Sequence, residues 1–141
     1  MTLTPASSAG EIVAHLQSFR NEANIAGMAR FGIDTTTALG ITTPQMQAIA
    51  RQIKRNHARA LALWGTGLRD PRMLAIQTAD PKALTVEEMR SWAGDFHSWE
   101  IVDTAADLFT ETPYWRDLIP EFAADEREFV RRTAFSMIAG A

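Results

Sequence analysis

Most motifs that would indicate a familiar chemistry are missing from this sequence. The chain of 141 residues contains no cysteine, which excludes disulfide bonds, thiol catalysis and cysteine-ligated zinc sites. It has no Gly-rich phosphate loop and no HExxH or GxSxG motif, and His15, His57 and His97 lie far apart, without metal-ligand spacing. We therefore expect a function that requires no metal and no cofactor.

Signals for secretion and for membrane insertion are also missing. The first ten residues, MTLTPASSAG, contain no basic segment followed by an apolar run, so they do not resemble a signal peptide. No apolar segment approaches the roughly 20 residues that span a bilayer. We expect a soluble, cytoplasmic protein, and the lack of cysteine fits a reducing compartment.

Strand signals are absent, whereas helical signals recur along the chain. No segment alternates apolar and polar residues over the length of a strand. In TTPQMQAIARQI, apolar residues fall at helical spacing, with Thr43 as the expected N-cap and Pro44 in the first turn. In DPRMLAIQTA we expect Asp70 to be the cap. Short helices with short connections predict an all-α fold of antiparallel helix pairs, stacked as HEAT-like repeats in a right-handed α-solenoid, with residues 1–141 as one domain.

The last predicted helix, in FVRRTAFSMIAGA, has apolar residues around most of its circumference. Such a helix needs neighbours on both sides, whereas the terminal repeat of a solenoid normally has a polar outer face. Two explanations are open: further repeats would normally cover this helix, or the chain self-associates through it.

The charges are distributed unevenly. Residues 1–72 contain eight Arg or Lys against four acidic residues, a net charge of +4, whereas residues 73–141 contain six against thirteen, a net charge of −7. Four of the basic residues, Arg51, Lys54, Arg55 and Arg59, form a cluster suited to contacts with DNA phosphates. The alternative, the solvated side of an amphipathic helix, fits the spacing equally well.

The segment HSWEIVDTAADLF, residues 97–109, predicts a helix with two different faces. At about 100° per residue, one face is an apolar stripe of Ile101, Val102, Ala105, Leu108 and Phe109. Trp99 and Asp103 lie one turn apart, away from this stripe. Since the stripe is complete without Trp99, and Asp103 is too far into the helix to gain from its dipole, the pair is a candidate site. The alternative is that Trp99 packs against a neighbouring helix and Asp103 is solvated.

A second candidate residue, Arg132, lies in the last predicted helix. It shares a narrow polar sector there with Thr133 and Ser136. An ordinary surface arginine is the alternative.

Three segments, ALGITTPQMQAIARQI, LALWGTGLRDPRMLAIQTADP and MRSWAGDFHSWEIVDTAADLF, occur in succession, and SWEIVD is the most specific part. Together they resemble the bacterial DNA-alkylation-repair glycosylases of the AlkD type, which are built from HEAT-like repeats. The resemblance runs from about Ala26 to the end. It implies that Asp103 corresponds to the catalytic aspartate, Trp99 to the tryptophan one turn before it, and Arg132 to an arginine that contacts DNA.

The resemblance also implies a reaction. The enzyme would hydrolyse the N-glycosidic bond of purines alkylated at N3 or N7 in duplex DNA, without flipping the base. Such purines are cationic leaving groups, and the positive charge passes to the deoxyribose as an oxocarbenium ion when the bond breaks. The Asp103 carboxylate would stabilise this cation and position water, the Trp99 indole would add cation–π attraction, and Arg132 would bind a phosphate.

The sequence also departs from the family pattern. Members of the family are usually longer, so we expect residues 1–141 to lack the usual C-terminal repeats and the second aromatic site residue that they supply. This leaves a second hypothesis, a non-catalytic HEAT-like module that binds DNA or protein. Such a module would tolerate Asp103→Asn and would bind unmodified and alkylated DNA alike. A third hypothesis is a truncated relic that dimerises through its last helix.

Overall fold

The computed structural model describes residues 2–33 and 35–140, and within these ranges all the regular structure is helical, as the sequence predicts. The helices are α1 (Ala9–Gln17), α2 (Glu22–Arg30), α3 (Thr43–Ile53), α4 (His57–Trp64), α5 (Arg69–Thr78), α6 (Val86–Asp95), α7 (Trp99–Phe109), α8 (Trp115–Ala123) and α9 (Glu128–Gly140). None of these helices has both the length and the apolar character needed to cross a membrane.

Several helices begin at capping boxes. Ser8, Thr42 and Thr85 each accept a hydrogen bond from the backbone N–H three residues ahead, and the Glu or Gln at that position bonds back. The predicted cap at Thr43 is wrong by one residue, because Thr42 provides the hydroxyl and Thr43 is the first helical residue. A side-chain cap of this kind contributes about 1 kcal/mol.

The predicted cap at Asp70 is also wrong. Helix α5 begins at Arg69, so Asp70 lies in the first turn, where it is fully buried. Its Oδ2 accepts the Leu39 N–H at 2.7 Å and its Oδ1 accepts Arg69 Nη1 at 2.8 Å. Burial raises the pKa of Asp70, and these donors oppose that shift. The carboxylate therefore joins the segment before α3 to the start of α5 instead of capping a helix.

The chain forms two compact units, Met1–Asp80 and Pro81–Ala141. In the first unit, α4 packs against α1 and α5, and α5 also contacts α1 and α3. The largest side chains that are completely buried in this unit are Ile12, Leu16, Ile53, Leu63 and Leu74. The prediction that residues 1–141 form one domain remains a prediction.

In the second unit, α9 packs against α6, α7 and α8. The side chains that α9 buries are Val130, Thr133, Ala134 and Met137. Phe135 and Ile138 face outward and are 61% and 51% exposed. Thr133 does not belong to the polar sector predicted for it, because it is fully buried and its hydroxyl donates to the Phe129 carbonyl at 2.7 Å.

Candidate functional site

Helix α7 has the two faces that its sequence predicts. All five residues of the apolar stripe are buried: Ile101, Val102, Ala105, Leu108 and Phe109. Trp99 is the first residue of the helix and is 36% exposed, although it is one of the largest apolar residues in the chain. The side chain of Asp103 is 49% exposed. Residues at i and i+4 are neighbours on a helix surface, so an indole and a carboxylate lie together on the accessible side of α7.

Helix α9 supplies the partners of Asp103. The Ser136 hydroxyl donates to Asp103 Oδ1 at 2.9 Å, and Arg132 Nε lies 3.9 Å from the same oxygen. One turn further along both helices, a Cβ on Gly140 would lie 3.8 Å from Asp107 Oδ1. Since both contacts advance in the same direction, α7 and α9 run parallel at this point. We call Asp103, Arg132 and Ser136 the Asp103 cluster.

The ion pair within the Asp103 cluster is loose. Arg132 and Asp103 are both about half exposed, and 3.9 Å is longer than a direct hydrogen bond. Exposed pairs of this kind contribute about 0–1 kcal/mol because water screens both charges. Arg132 is therefore able to leave Asp103 and contact another anion at little energetic cost.

An open depression of about 450 Å³ adjoins the cluster along α9. Its lining consists of Glu128, Arg131, Arg132, Phe135, Ser136 and Ala139. Arg131 is partly engaged, since its Nη1 donates to the backbone carbonyls of Asp125 and Glu126. The depression combines guanidinium groups with the exposed ring of Phe135, a combination able to contact both phosphate and an apolar surface.

Three of the four clustered cations predicted to contact DNA are exposed at the end of α3: Arg51, Lys54 and Arg55. Lys54 is the C-cap of that helix and has φ +60° and ψ 174°. A residue with a Cβ rarely adopts this conformation, which costs about 1–3 kcal/mol. The backbone is therefore strained where it turns from α3 towards α4.

The fourth cation, Arg59, is placed differently. It is only 7% exposed, and its guanidinium donates to three backbone carbonyls, those of Pro5, Ile53 and Lys54, at 3.0, 2.9 and 2.6 Å. Burial lowers the pKa of Arg59. Since these donors satisfy carbonyls at the end of α3, we leave Arg59 out of the residues proposed to contact phosphate. The sequence does indicate that Arg59 faces inward, because Arg59 lies one turn before Leu63 on the buried face of α4.

The structure thus brings together Trp99, Asp103 and Arg132 in the second unit, while Arg51, Lys54 and Arg55 lie in the first. The sequence alone assigned no role to Ser136. Its position one turn after Arg132 places Ser136 on the same face of α9. Its hydrogen bond to Asp103, however, depends on the register between α9 and α7. Within residues 2–33 and 35–140, no group of three or more His, Asp or Glu side chains could hold a metal ion.

Comparison with known proteins gives two matches of different kinds. The sequence profile of a family described as "DNA alkylation repair enzyme" matches residues 12–141. A solved structure matches with a TM-score of 0.83 and 22% identity, and it is described as belonging to a new family related to the HEAT-like repeat DNA glycosylases with affinity for branched DNA structures. No curated protein sequence matches the chain.

The structural match covers 94% of this chain and 56% of the other, so the chain spans little more than half the length of that relative. The match confirms the predicted HEAT-like repeat fold, and the family profile confirms the resemblance drawn from the three segments. Since the profile covers nearly the whole sequence, the chain belongs to the DNA alkylation repair enzyme family.

Proposed function

We propose that the chain is a DNA glycosylase that hydrolyses the N-glycosidic bond of purines made cationic by alkylation at N3 or N7. The observation that carries this proposal is the Asp103 cluster with Trp99 beside it. A half-exposed carboxylate lies one turn from an exposed indole on α7 and beside a loosely held arginine on α9. Carboxylate, aromatic face and guanidinium are the groups that a cationic sugar next to a phosphate requires.

Each residue has a distinct role in the reaction. As the bond to the purine breaks, the electron pair leaves with the neutral base and the deoxyribose becomes an oxocarbenium ion. The Asp103 carboxylate stabilises this cation and accepts a hydrogen bond from the attacking water. The water oxygen bonds to the sugar carbon, and its proton passes to the Asp103 carboxylate and from there to bulk water. Trp99 places the face of its indole against the cationic nucleotide, and Arg132 binds the adjacent phosphate.

Duplex DNA is the proposed substrate, and the base remains in the stack. Enzymes that extrude a base hold it in an enclosed pocket, whereas Asp103 lies half exposed on a helix surface. This accessibility supports attack on a sugar at the edge of the duplex. Arg51, Lys54 and Arg55 are proposed to bind flanking phosphates, because they are exposed and closely spaced at the end of α3.

The test is the release of free methylated purine from methylated duplex DNA. We compare the wild type with Asp103→Asn, which keeps the shape of the side chain but removes its charge. The matched control is Asp107→Asn, because Asp107 is an exposed aspartate one turn further along α7. We expect release above the spontaneous rate for the wild type and the control. Asp103→Asn should lose about a hundredfold or more, the effect typical of removing an electrostatic stabiliser of a transition state.

Two outcomes would contradict the proposal. A folded wild type that releases no purine above the spontaneous rate would show that the chain is not a glycosylase for these lesions. Equal losses in the two Asn variants would show that Asp103 has no special role. Circular dichroism of all three proteins confirms that the comparison is made between folded chains.

The second candidate function is a non-catalytic HEAT-like module that binds DNA or protein. It is supported by the solved relative, whose description gives an affinity for branched DNA structures and which is much longer than this chain. A binding module would bind a four-way junction and methylated or unmodified duplex without releasing purine, and Asp103→Asn would bind as well as the wild type. Titration of labelled DNA with the protein at several salt concentrations measures the binding, and the assay of purine release separates this function from catalysis.

We also propose that the chain self-associates through α9. Phe135 and Ile138 are exposed on this helix, and paired apolar side chains lose contact with water when two copies meet. Sedimentation velocity should show a concentration-dependent dimer that Phe135→Glu dissociates. A monomer at all concentrations would contradict this proposal and leave the glycosylase proposal unaffected.

A further inference from the structure

We propose that Ser136 is a positioning residue for Asp103, holding Oδ1 so that Oδ2 is the oxygen that faces the reacting sugar. This inference rests on the glycosylase function proposed above. It assigns different roles to the two oxygens of one carboxylate and adds a residue of α9 to the site.

The geometry distinguishes the two oxygens clearly. Both contacts of the Asp103 carboxylate go to Oδ1, the hydrogen bond from the Ser136 hydroxyl at 2.9 Å and the approach of Arg132 Nε at 3.9 Å. Among the residues that the structure describes, none donates a hydrogen bond to Oδ2. Oδ2 therefore keeps its full capacity to accept hydrogen bonds, and a cation or a water molecule can contact it without displacing a protein donor.

The hydroxyl of Ser136 behaves differently from other hydroxyls in these helices. Serine and threonine inside a helix commonly donate to the carbonyl four residues earlier. Thr78, Thr104 and Thr133 all do so, at 2.8, 3.0 and 2.7 Å. Ser136 instead donates to a side chain on a neighbouring helix. Its hydrogen bond therefore links α9 to α7 at Asp103 and does not go to a backbone carbonyl of α9.

A half-exposed aspartate needs such a contact in order to act from one fixed position. Without it, the χ1 angle of the side chain samples several staggered wells, and the broad χ2 torsion exchanges the two oxygens. Catalysis depends on holding the reacting groups in place, and a displacement of about 1 Å is able to lower a rate about a hundredfold. A single hydrogen bond that fixes the carboxylate should therefore affect the rate of the chemical step more than the binding of DNA.

The experiment compares the wild type with Ser136→Ala, which removes the hydroxyl, and Ser136→Thr, which retains it. Single-turnover release of methylated purine gives the rate constant, and titration with the same DNA gives Kd. We expect Ser136→Ala to lower the rate constant about tenfold, as loss of one hydrogen bond to a charged group predicts, with Kd unchanged. Ser136→Thr should stay within about threefold of the wild type, because its hydroxyl can donate to the same oxygen.

A second measurement reads the position of Asp103 without any reaction. Three-bond NMR couplings of its Cβ protons report whether χ1 occupies one rotamer or several. We expect one rotamer in the wild type and in Ser136→Thr, and averaging over several in Ser136→Ala.

The outcomes that overturn the inference differ from those that overturn the glycosylase proposal. Unchanged Asp103 couplings in Ser136→Ala would show that Ser136 does not position the carboxylate, as would equal impairment of the Ala and Thr variants. Absence of purine release from the wild type would instead refute the proposed reaction. The couplings would still decide whether the hydroxyl fixes Asp103.

Discussion

Two arginines predicted from the sequence to contact DNA have very different surroundings. Arg59 is 7% exposed and donates to the backbone carbonyls of Ile53 and Lys54, where α3 ends, and of Pro5, which precedes α1. Arg132 has a side chain that is 48% exposed, and its Nε lies 3.9 Å from the Asp103 carboxylate. Identical side chains thus have different roles, since Arg59 donates hydrogen bonds to backbone carbonyls and Arg132 remains accessible to a ligand.

Basic residues that are close in sequence do not all belong to one DNA-binding surface, because some of their side chains are exposed and others are buried. Arg51, Lys54 and Arg55 are exposed, whereas Arg59, only four residues after Arg55 but in the next helix, faces inward. What distinguishes Arg59 is the helix face on which it lies, together with the unpaired carbonyls that the end of α3 presents to it. Two substitutions test this division directly, and two more test the strained backbone at Lys54 and the ion pair of Asp125; they follow from the largest expected effect to the smallest.

Replacing Arg59 should affect stability most. Arg59→Ala removes the donors of three hydrogen bonds and leaves backbone carbonyls without partners, so we expect a loss of about 3 kcal/mol in the free energy of unfolding. Urea denaturation followed by circular dichroism measures it. Arg59→Lys should recover part of the loss, because an ammonium group can donate to some of the same carbonyls. A loss below about 0.5 kcal/mol for Arg59→Ala would show that the turn does not depend on Arg59.

Replacing Arg132 should lower the affinity for DNA and leave the stability of the protein almost unchanged. Arg132→Ala should change stability by less than about 0.5 kcal/mol, since the residue is exposed and its ion pair is loose. Its effect should fall on DNA, with affinity about tenfold lower and a plot of log affinity against log salt that is shallower by about one unit. Arg116→Ala is the matched control, because Arg116 is an exposed arginine of the same unit that lies over the Trp115 ring. Equal effects of the two substitutions on DNA would refute a specific phosphate contact for Arg132.

Replacing Lys54 with glycine should stabilise the protein. Glycine adopts a φ of +60° without a clash from a Cβ, so relief of strain should add about 1 kcal/mol to the free energy of unfolding. Gln52→Gly is the control, since Gln52 is an exposed residue inside α3, where glycine costs about 0.5–1 kcal/mol. If both variants are destabilised equally, the conformation of Lys54 stores no strain.

The smallest effect concerns pH. Three donors of Arg127, first its side chain and then its backbone N–H, lower the pKa of Asp125 to about 2. Since the folded-state pKa lies below the unfolded value of about 3.9, this contribution to stability is present above pH 4 and is lost as pH falls towards 2. Asp125→Asn should therefore flatten the acid side of the stability curve measured by thermal unfolding. An unchanged slope between pH 4 and pH 2 would contradict the assignment.

Helix positions and the core were largely predictable because they depend on local patterns. The apolar stripe of α7 is buried as its spacing indicates. The errors at Thr43 and Asp70 have a different origin. Thr42 and Thr43 are equivalent by residue type, and the partner of Asp70, the Leu39 N–H, comes from a loop 31 residues away in sequence.

The candidate site was predictable only in part. Trp99 and Asp103 follow from one helical pattern, so their shared face could be found without a structure. Their relation to Arg132 and Ser136 depends on the register of α9 against α7, a tertiary property that neither helix encodes alone. The inward position of Arg59 was readable from the face of α4, although its carbonyl partners were not.

The cross-helix hydrogen bond of Asp103 has a consequence for how the protein should respond to heat. Both neighbours of the carboxylate, Arg132 and Ser136, belong to the single helix α9. Because α9 packs against α6, α7 and α8, it should stay folded until the second unit itself opens. Under the proposed reaction, purine release should therefore be lost on heating together with the tertiary structure of that unit.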